Sequence, residues 1–224
     1  MIRQDPATTL PWMRAGQSLV ERIVADLSDD ALRAPSGLSG WSAAHVVGHL
    51  ARNAEALGRL VAWARTGVET PMYADREQRA TDIEESATRP ARVLREELTT
   101  TAEALDDALA ALDANAWRAE VRSALGRPLP AAEIPWMRVR EVWLHAVDLG
   151  APVDRTGLRP GDLVFFDRLR HNGIYIGGGK FIHASSGEGR VSISRLDGDW
   201  FRHRWTGGRR INAPHLTNPA SPLP

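Results

Sequence analysis

Two pairs of residues spaced one helical turn apart, His45 with His49 and Glu141 with His145, are the side chains of this sequence best suited to holding a cation. A spacing of four places both members of a pair on one helix face. Histidine and carboxylate converging from two helices is how bundle interiors build metal sites. Glu141 and His145 also suit an ordinary helical ion pair, so spacing alone leaves both readings open. The 224 residues include no cysteine. That removes disulfides, thiolate-ligated zinc, iron–sulfur clusters and any cysteine nucleophile of the chain's own.

The elements that must carry these residues are helical. Leu19, Val20, Ile23, Leu27 and Leu32 return at spacings that suit one buried face between Pro6 and Leu32, and Pro35 and Gly37 end that helix. A second begins after Ser42, a suitable N-cap, and runs through His45, His49, Leu50, Leu57 and Leu60 to Gly67. A third places Val93, Leu94, Leu98, Leu105, Leu109 and Leu112 on one stripe, with Pro90 at its first turn. A fourth runs from Pro135 to Leu149. Four helices of this length predict an antiparallel bundle with a long crossover over residues 68–89.

Near residue 150 the texture changes. From Ala151 onward there are 11 Lys+Arg against 6 Asp+Glu, which leaves 17 against 22 before it, so a net charge of zero divides into +5 and −5. Residues 157–211 are rich in Gly and in short β-branched or aromatic runs, the pattern of strands separated by tight turns. Gly177–Gly179 reads as a hairpin turn, too short to cradle a phosphate and not followed by a helix. The expected class is therefore α+β. Residues 1–149 form a four-helix bundle, 150–156 a linker, 157–211 a small antiparallel sheet and 212–224 a disordered tail. The first residues show no secretory pattern, and no run of about 18 apolar residues is present. The expectations are a cytoplasmic location, with no membrane and no nucleic acid as partners.

The strings GWSAAHVVGHLARNAEAL (40–57) and ALGRPLPAAEIPWMRVREVWLHAVDL (124–149) resemble the signature stretches of the mycothiol-dependent maleylpyruvate isomerase family, DinB-like helical metalloproteins. The resemblance covers residues 1–149. It implies a divalent metal, with zinc expected, held by His49, Glu141 and His145, and leaves His45 as a fallback ligand. It also implies mycothiol as thiol cosubstrate and a small-molecule electrophile as substrate. A thiol entering an open position on such a metal loses its proton, so a protein without cysteine can run thiol chemistry on a borrowed sulfur. Arg52 and Asn53, which follow His49, are candidates for contacting the cofactor.

Residues 157–211, through PGDLVFF, HNGIYIG and FIHAS, resemble the second half of NlpC-type cell-wall peptidases, which are papain-like. That resemblance implies a general base at His171, an orienting histidine at His183 and a cell-wall peptide as ligand. The family's nucleophile is a cysteine, so no peptidase activity is expected here, because base and nucleophile must lie within hydrogen-bond reach. The sheet of such a fold buries one face under helices that this sequence lacks. That face must rest on the bundle, pair with another chain or stay exposed, and Trp200, Phe201 and Trp205 are available to pack on it.

Overall fold

The computed structural model describes residues 2–168, 170–185 and 187–211; the tail expected to be disordered from Asn212 lies outside the described residues. The chain divides into two compact units, Met1–Leu149 and Gly150–Pro224.

The first unit is built on helices α1 (Pro6–Asp26), α2 (Asp29–Arg33), α3 (Ala43–Thr66), α4 (Arg76–Thr88), α5 (Ala91–Ala110) and α6 (Ile134–Asp148). The long helices pair as expected for a bundle: α3 packs on α5, α1 on α6, and α3 also on α6. Their ends follow local chemistry. Ser42 accepts from the His45 backbone N–H while His45 Nδ1 accepts from the Ser42 N–H at 3.2 Å, a capping box with histidine in the usual Glu/Gln position. Gly67, at φ 73°, closes α3 in the left-handed conformation that glycine adopts without strain. Between α5 and α6 a short hairpin joins β1 (Glu120–Arg122) to β2 (Pro128–Pro130) in antiparallel register.

The crossover differs from expectation. Residues 68–89 contain α4, which buries only Ile83, Ser86 and Ala87. The stretch REQRATDIEESAT has no continuous apolar stripe, so its periodicity is too weak to read as a helix. It forms because it packs on α3 and because Asp75 caps it, accepting from Gln78 N at 2.8 Å. The two helices approach closely at Gly48, where an added Cβ would lie 2.6 Å from Ser86 Cβ. The first helical stretch is likewise interrupted, with α1 ending at Asp26 and Ser28 capping the separate α2.

The second unit is one antiparallel sheet. It contains β3 (Ala151–Val153), β4 (Leu163–Phe166), β5 (His171–Gly177), β6 (Lys180–Ser185), β7 (Arg190–Arg195) and β8 (Trp205–Arg210), in the order β3-β8-β4-β5-β6-β7. Residues 151–153, which read as linker, instead form the edge strand pairing with β8. Gly177, Gly178 and Gly179 all have positive φ and make the β5–β6 turn. The stretch from Trp200 does not continue as strand, because helix α7 (Asp199–His203) intervenes. That helix and the start of β8 supply cover from within the unit: Phe201 of α7 lies 5.1 Å from the ring of Phe166 and 4.8 Å from that of Phe181, and Trp205 of β8 packs on Phe166 from 5.8 Å. Val164, Phe166, Phe181 and Leu196 are the buried core of the unit. The other face aligns Leu163, Ile174, Ile182 and Ile193 across four neighbouring strands, and Ile174 and Ile193 there are exposed.

The Gly48 contact is testable. Gly48→Ala forces α4 away from α3 and is expected to lower stability by about 1–3 kcal/mol, the usual range for overpacking, as read by urea unfolding.

Candidate metal centre

Three ligand-type side chains meet between α3 and α6. His49, Glu141 and His145 each place one donor atom so that all three lie within 4.8 Å of one another. His49 Nε2 is 2.9 Å from Glu141 Oε2, and His145 Nε2 is 3.5 Å from the same oxygen. Helix geometry explains the pairing: Glu141 and His145 are one turn apart on α6, and α3 crosses beside them with its buried His49. The spacings bracket the roughly 3.4 Å that separates ligand atoms around a tetrahedral ion with bonds of about 2.1 Å. The donor set and its geometry therefore fit a divalent metal.

The hydrogen bonds fix the protonation of each ring. His145 Nδ1 donates to Asp148 Oδ2 at 2.8 Å, a carboxylate–histidine arrangement that leaves Nε2 as the donor atom facing Glu141. Burial disfavours the His145 cation, but hydrogen bonds to Asp148 and Glu141 outweigh it and hold the pKa up to about 9. Glu141 is opposed by burial as well, yet bonds from His145 and His49 keep its carboxyl far below the ordinary carboxylate range. His49 goes the other way. Burial pushes its pKa down despite Glu141, and Arg79 Nη2 donates toward its Nδ1 at 3.3 Å. In the metal-free protein His49 is thus neutral and carries its proton on Nε2. For Nε2 to serve as ligand that proton would have to pass to Nδ1, which Arg79 would have to release.

Arg79 comes from α4, the helix hidden in the crossover. Its guanidinium also lies over the Tyr73 ring, 5.7 Å from the centroid. Burial, together with the charge of Glu141, raises the Tyr73 pKa in spite of Arg79, so its phenol is kept protonated. Tyr73 and Arg79 form part of the wall of a cavity of about 590 Å³ that is also lined by Trp63, Met72, Arg76 and Arg122. Trp41 packs over His49 on another side, with ring centroids 5.6 Å apart.

The other sequence candidates are placed elsewhere. His45 is committed to the α3 cap and to Glu84, 3.1 Å from its Nε2. Arg52 pairs with Glu55 at 3.2 Å and Glu97 at 3.1 Å. Asn53 is buried and accepts from Arg138 Nη1 at 2.8 Å. Neither Arg52 nor Asn53 lines the cavity that contains Arg79. Asp148, three residues beyond His145, was readable from spacing. Arg79 and Tyr73 were not, because no local pattern ties residues 73–79 to α3.

In the sheet unit His171 Nε2 and His183 Nδ1 are 2.9 Å apart, and His183 Nε2 is 2.9 Å from Ser194 Oγ. The three form a relay along one sheet face. Ser194 is its new member, on the far side of His183 from His171. Burial, and then the neighbouring His183, push the His171 pKa down, which favours a neutral imidazole.

Comparison with known proteins agrees with this geometry. The family described as the mycothiol maleylpyruvate isomerase N-terminal domain matches residues 13–150, more than half of the chain. The chain belongs to that family. The crystal structure of a mycothiol-dependent maleylpyruvate isomerase superposes on the chain with a TM-score of 0.63 and 41% identity, over 64% of this chain and 60% of that one. The NlpC/P60 family matches residues 118–210, so this similarity begins well before residue 157 and overlaps the isomerase-family domain. A probable endopeptidase NlpC homolog of Haemophilus influenzae is 46% identical over 63 residues, which are 28% of this chain and 34% of that protein. The murein DD-endopeptidase MepS/murein LD-carboxypeptidase of Escherichia coli K12 is 42% identical over 67 residues, 29% of this chain and 35% of that protein. The chain thus spans about a third of the length of these curated relatives. Among the described residues no helix is long and apolar enough to cross a membrane.

The raised His145 pKa has a measurable sign. Because the folded value of about 9 lies above the unfolded 6.5, the stability His145 contributes to chelator-treated protein is complete below about pH 6.5. It is lost as pH rises through about 9. Urea unfolding between these limits is expected to show that decline in the parent chain and to lack it in His145→Gln.

Proposed function

We propose that the helical unit is a metal-dependent, mycothiol-using isomerase or thiol transferase, with zinc held by His49, Glu141 and His145. The convergence of these three donors from α3 and α6 within 4.8 Å carries the reading, and membership of the isomerase family supports it. When bound, the metal supplies the Lewis acidity that lets a thiol ionise at neutral pH, and the thiol supplies the nucleophile for reversible addition across a cis double bond.

The chain's own residues do the rest. Asp148 holds His145 in the tautomer that presents Nε2, and Glu141 stays ionised over the whole physiological range. Arg79, freed from His49 Nδ1, presents a guanidinium fork suited to a carboxylate of the electrophile. Tyr73 keeps its phenolic proton available beside it. Trp41, packed on the His49 ring, limits water on that side of the centre. The cytoplasm, where small thiols are kept reduced, is the matching compartment.

A second reading is favoured by one observation, the intact His171–His183–Ser194 relay in a stretch similar to murein peptidases. On this reading the sheet unit binds or cleaves a cell-wall peptide. The absence of cysteine from the chain supports binding without peptide-bond cleavage, since a base with no partner nucleophile within reach activates nothing.

Metal content and turnover distinguish the readings. Purified chain is expected to take up one equivalent of Zn²⁺ and to convert maleylpyruvate only when mycothiol is present, and His49→Ala or His145→Ala is expected to lose both properties. Substoichiometric metal that neither substitution changes would refute the isomerase reading. Muropeptide hydrolysis that disappears in His171→Ala would establish the peptidase instead.

A further inference from the structure

Among the described residues Arg138 is the largest fully buried side chain, and a buried charge is costly unless its donors are bonded. It lies on α6, one turn before Glu141. Its Nη1 donates to the Leu50 carbonyl at 2.7 Å and to Asn53 Oδ1 at 2.8 Å, both on α3, and its Nη2 donates to Gln17 Oε1 at 3.0 Å on α1. All three acceptors are neutral oxygens. Burial lowers the guanidinium pKa to about 10, against the favourable charge of Glu141, so the group is still a cation at neutral pH.

A cation in a bundle interior bonded to neutral acceptors is a poor source of stability. Replacing such a cation together with all its acceptors by well-packed apolar residues commonly does as well or better. What the guanidinium provides is directional geometry, a rigid planar fork whose donors point in fixed directions. Here the fork ties α6 to α3 at two points. Leu50 is the residue after His49, Asn53 lies one turn beyond His49, and Arg138 lies one turn from Glu141. The bolt between the helices therefore sits within a turn of a ligand on each of them. A slide of α3 along α6 that broke these bonds would also separate His49 Nε2 from Glu141 Oε2, now 2.9 Å apart.

We propose that Arg138 is the positioning residue of the metal centre, fixing the register of α3 against α6 so that His49 meets Glu141 and His145. The proposal rests on the metal-centre reading above. It differs from a purely structural role in what it demands: removal of Arg138 should cost metal affinity and coordination geometry more than it costs the fold.

The test uses the full chain carrying Arg138→Met, with Zn²⁺ affinity measured by chelator competition, coordination by the visible absorption of Co²⁺-loaded protein, and stability by urea unfolding of the metal-free protein. The expected result is a metal-free protein that still unfolds cooperatively, at a lower urea midpoint because three acceptors lose their donor, with Zn²⁺ affinity reduced by roughly 10- to 100-fold, the range seen when the support of ligands is removed, and an altered Co²⁺ spectrum. Gln17→Met, which removes only the bond to the ligand-free α1, is expected to leave affinity and spectrum unchanged. Parent-like affinity and spectrum in Arg138→Met would overturn the proposal, as would an equal loss of affinity in Gln17→Met. Should Arg138→Met fail to fold, Asn53→Ala decides: weakened Zn²⁺ binding supports the proposal and unchanged binding overturns it. A parent chain that takes up no Zn²⁺ overturns both this proposal and the reading beneath it, whereas an unaffected Arg138→Met overturns this one alone.

Discussion

A single carboxylate oxygen, Glu141 Oε2, faces an imidazole from each of two helices, and much of the helical unit is arranged around that convergence. A half-buried carboxylate is favoured when it is paired and hydrogen-bonded. The partners of Glu141 are drawn from α3 and from its own helix, so the crossing of α3 and α6 has to be held closely. Close approaches at glycines hold the neighbouring helices. An added Cβ at Gly48 would strike Ser86 of α4, and one at Gly16 would lie 2.4 Å from Val142 Cγ2, which places α1 directly against α6. Glycine at these two points lets α4 approach α3 and α1 approach α6 closely.

How much of this was legible in the sequence follows from the range of the forces involved. His49, Glu141 and His145 lie on strongly periodic helices, where an apolar stripe fixes which face is buried, so local pattern and resemblance were enough to name them. Asp148 lies on the same helix and obeys the same spacing. Arg79 does not. It lies on α4, whose composition is polar almost all round and whose helicity depends on packing against α3, a tertiary fact with no local signature. Asn53 was a candidate because it follows His49 on the helix, and the bond it accepts from Arg138 has no local signature. In the sheet unit, hairpin turns marked by glycine were readable from residue types alone. The edge strand 151–153 was not, because its pairing with β8 spans more than fifty residues and its Gly-Ala-Pro-Val sequence looks like a connection.

The absence of cysteine bears on the two units differently. In the isomerase-family domain the nucleophile comes from outside the chain on the proposed reading, so nothing is missing. In the sheet unit the relay from Ser194 through His183 to His171 is complete as far as its last imidazole. The chain's own side chains offer that imidazole no thiol. The two units also differ in net charge and in the class of protein each resembles.

The charge state of the metal-free centre also argues against a passive ion pair. A simple pair would need one cation beside Glu141. The site instead brings up a protonated His145 and the guanidinium of Arg79, with Asp148 balancing part of the excess from the outer side of His145. Two positive groups around an ionised carboxylate and a neutral imidazole reproduce the charge that a divalent cation would bring to the same ligands. His49, Glu141 and His145 would hold such an ion once His145 gives up its proton, His49 carries its own on Nδ1 and Arg79 has withdrawn from that nitrogen. Arg79 belongs to α4, whereas the three donors belong to α3 and α6, so its withdrawal from Nδ1 breaks neither contact that joins His49 and His145 to Glu141.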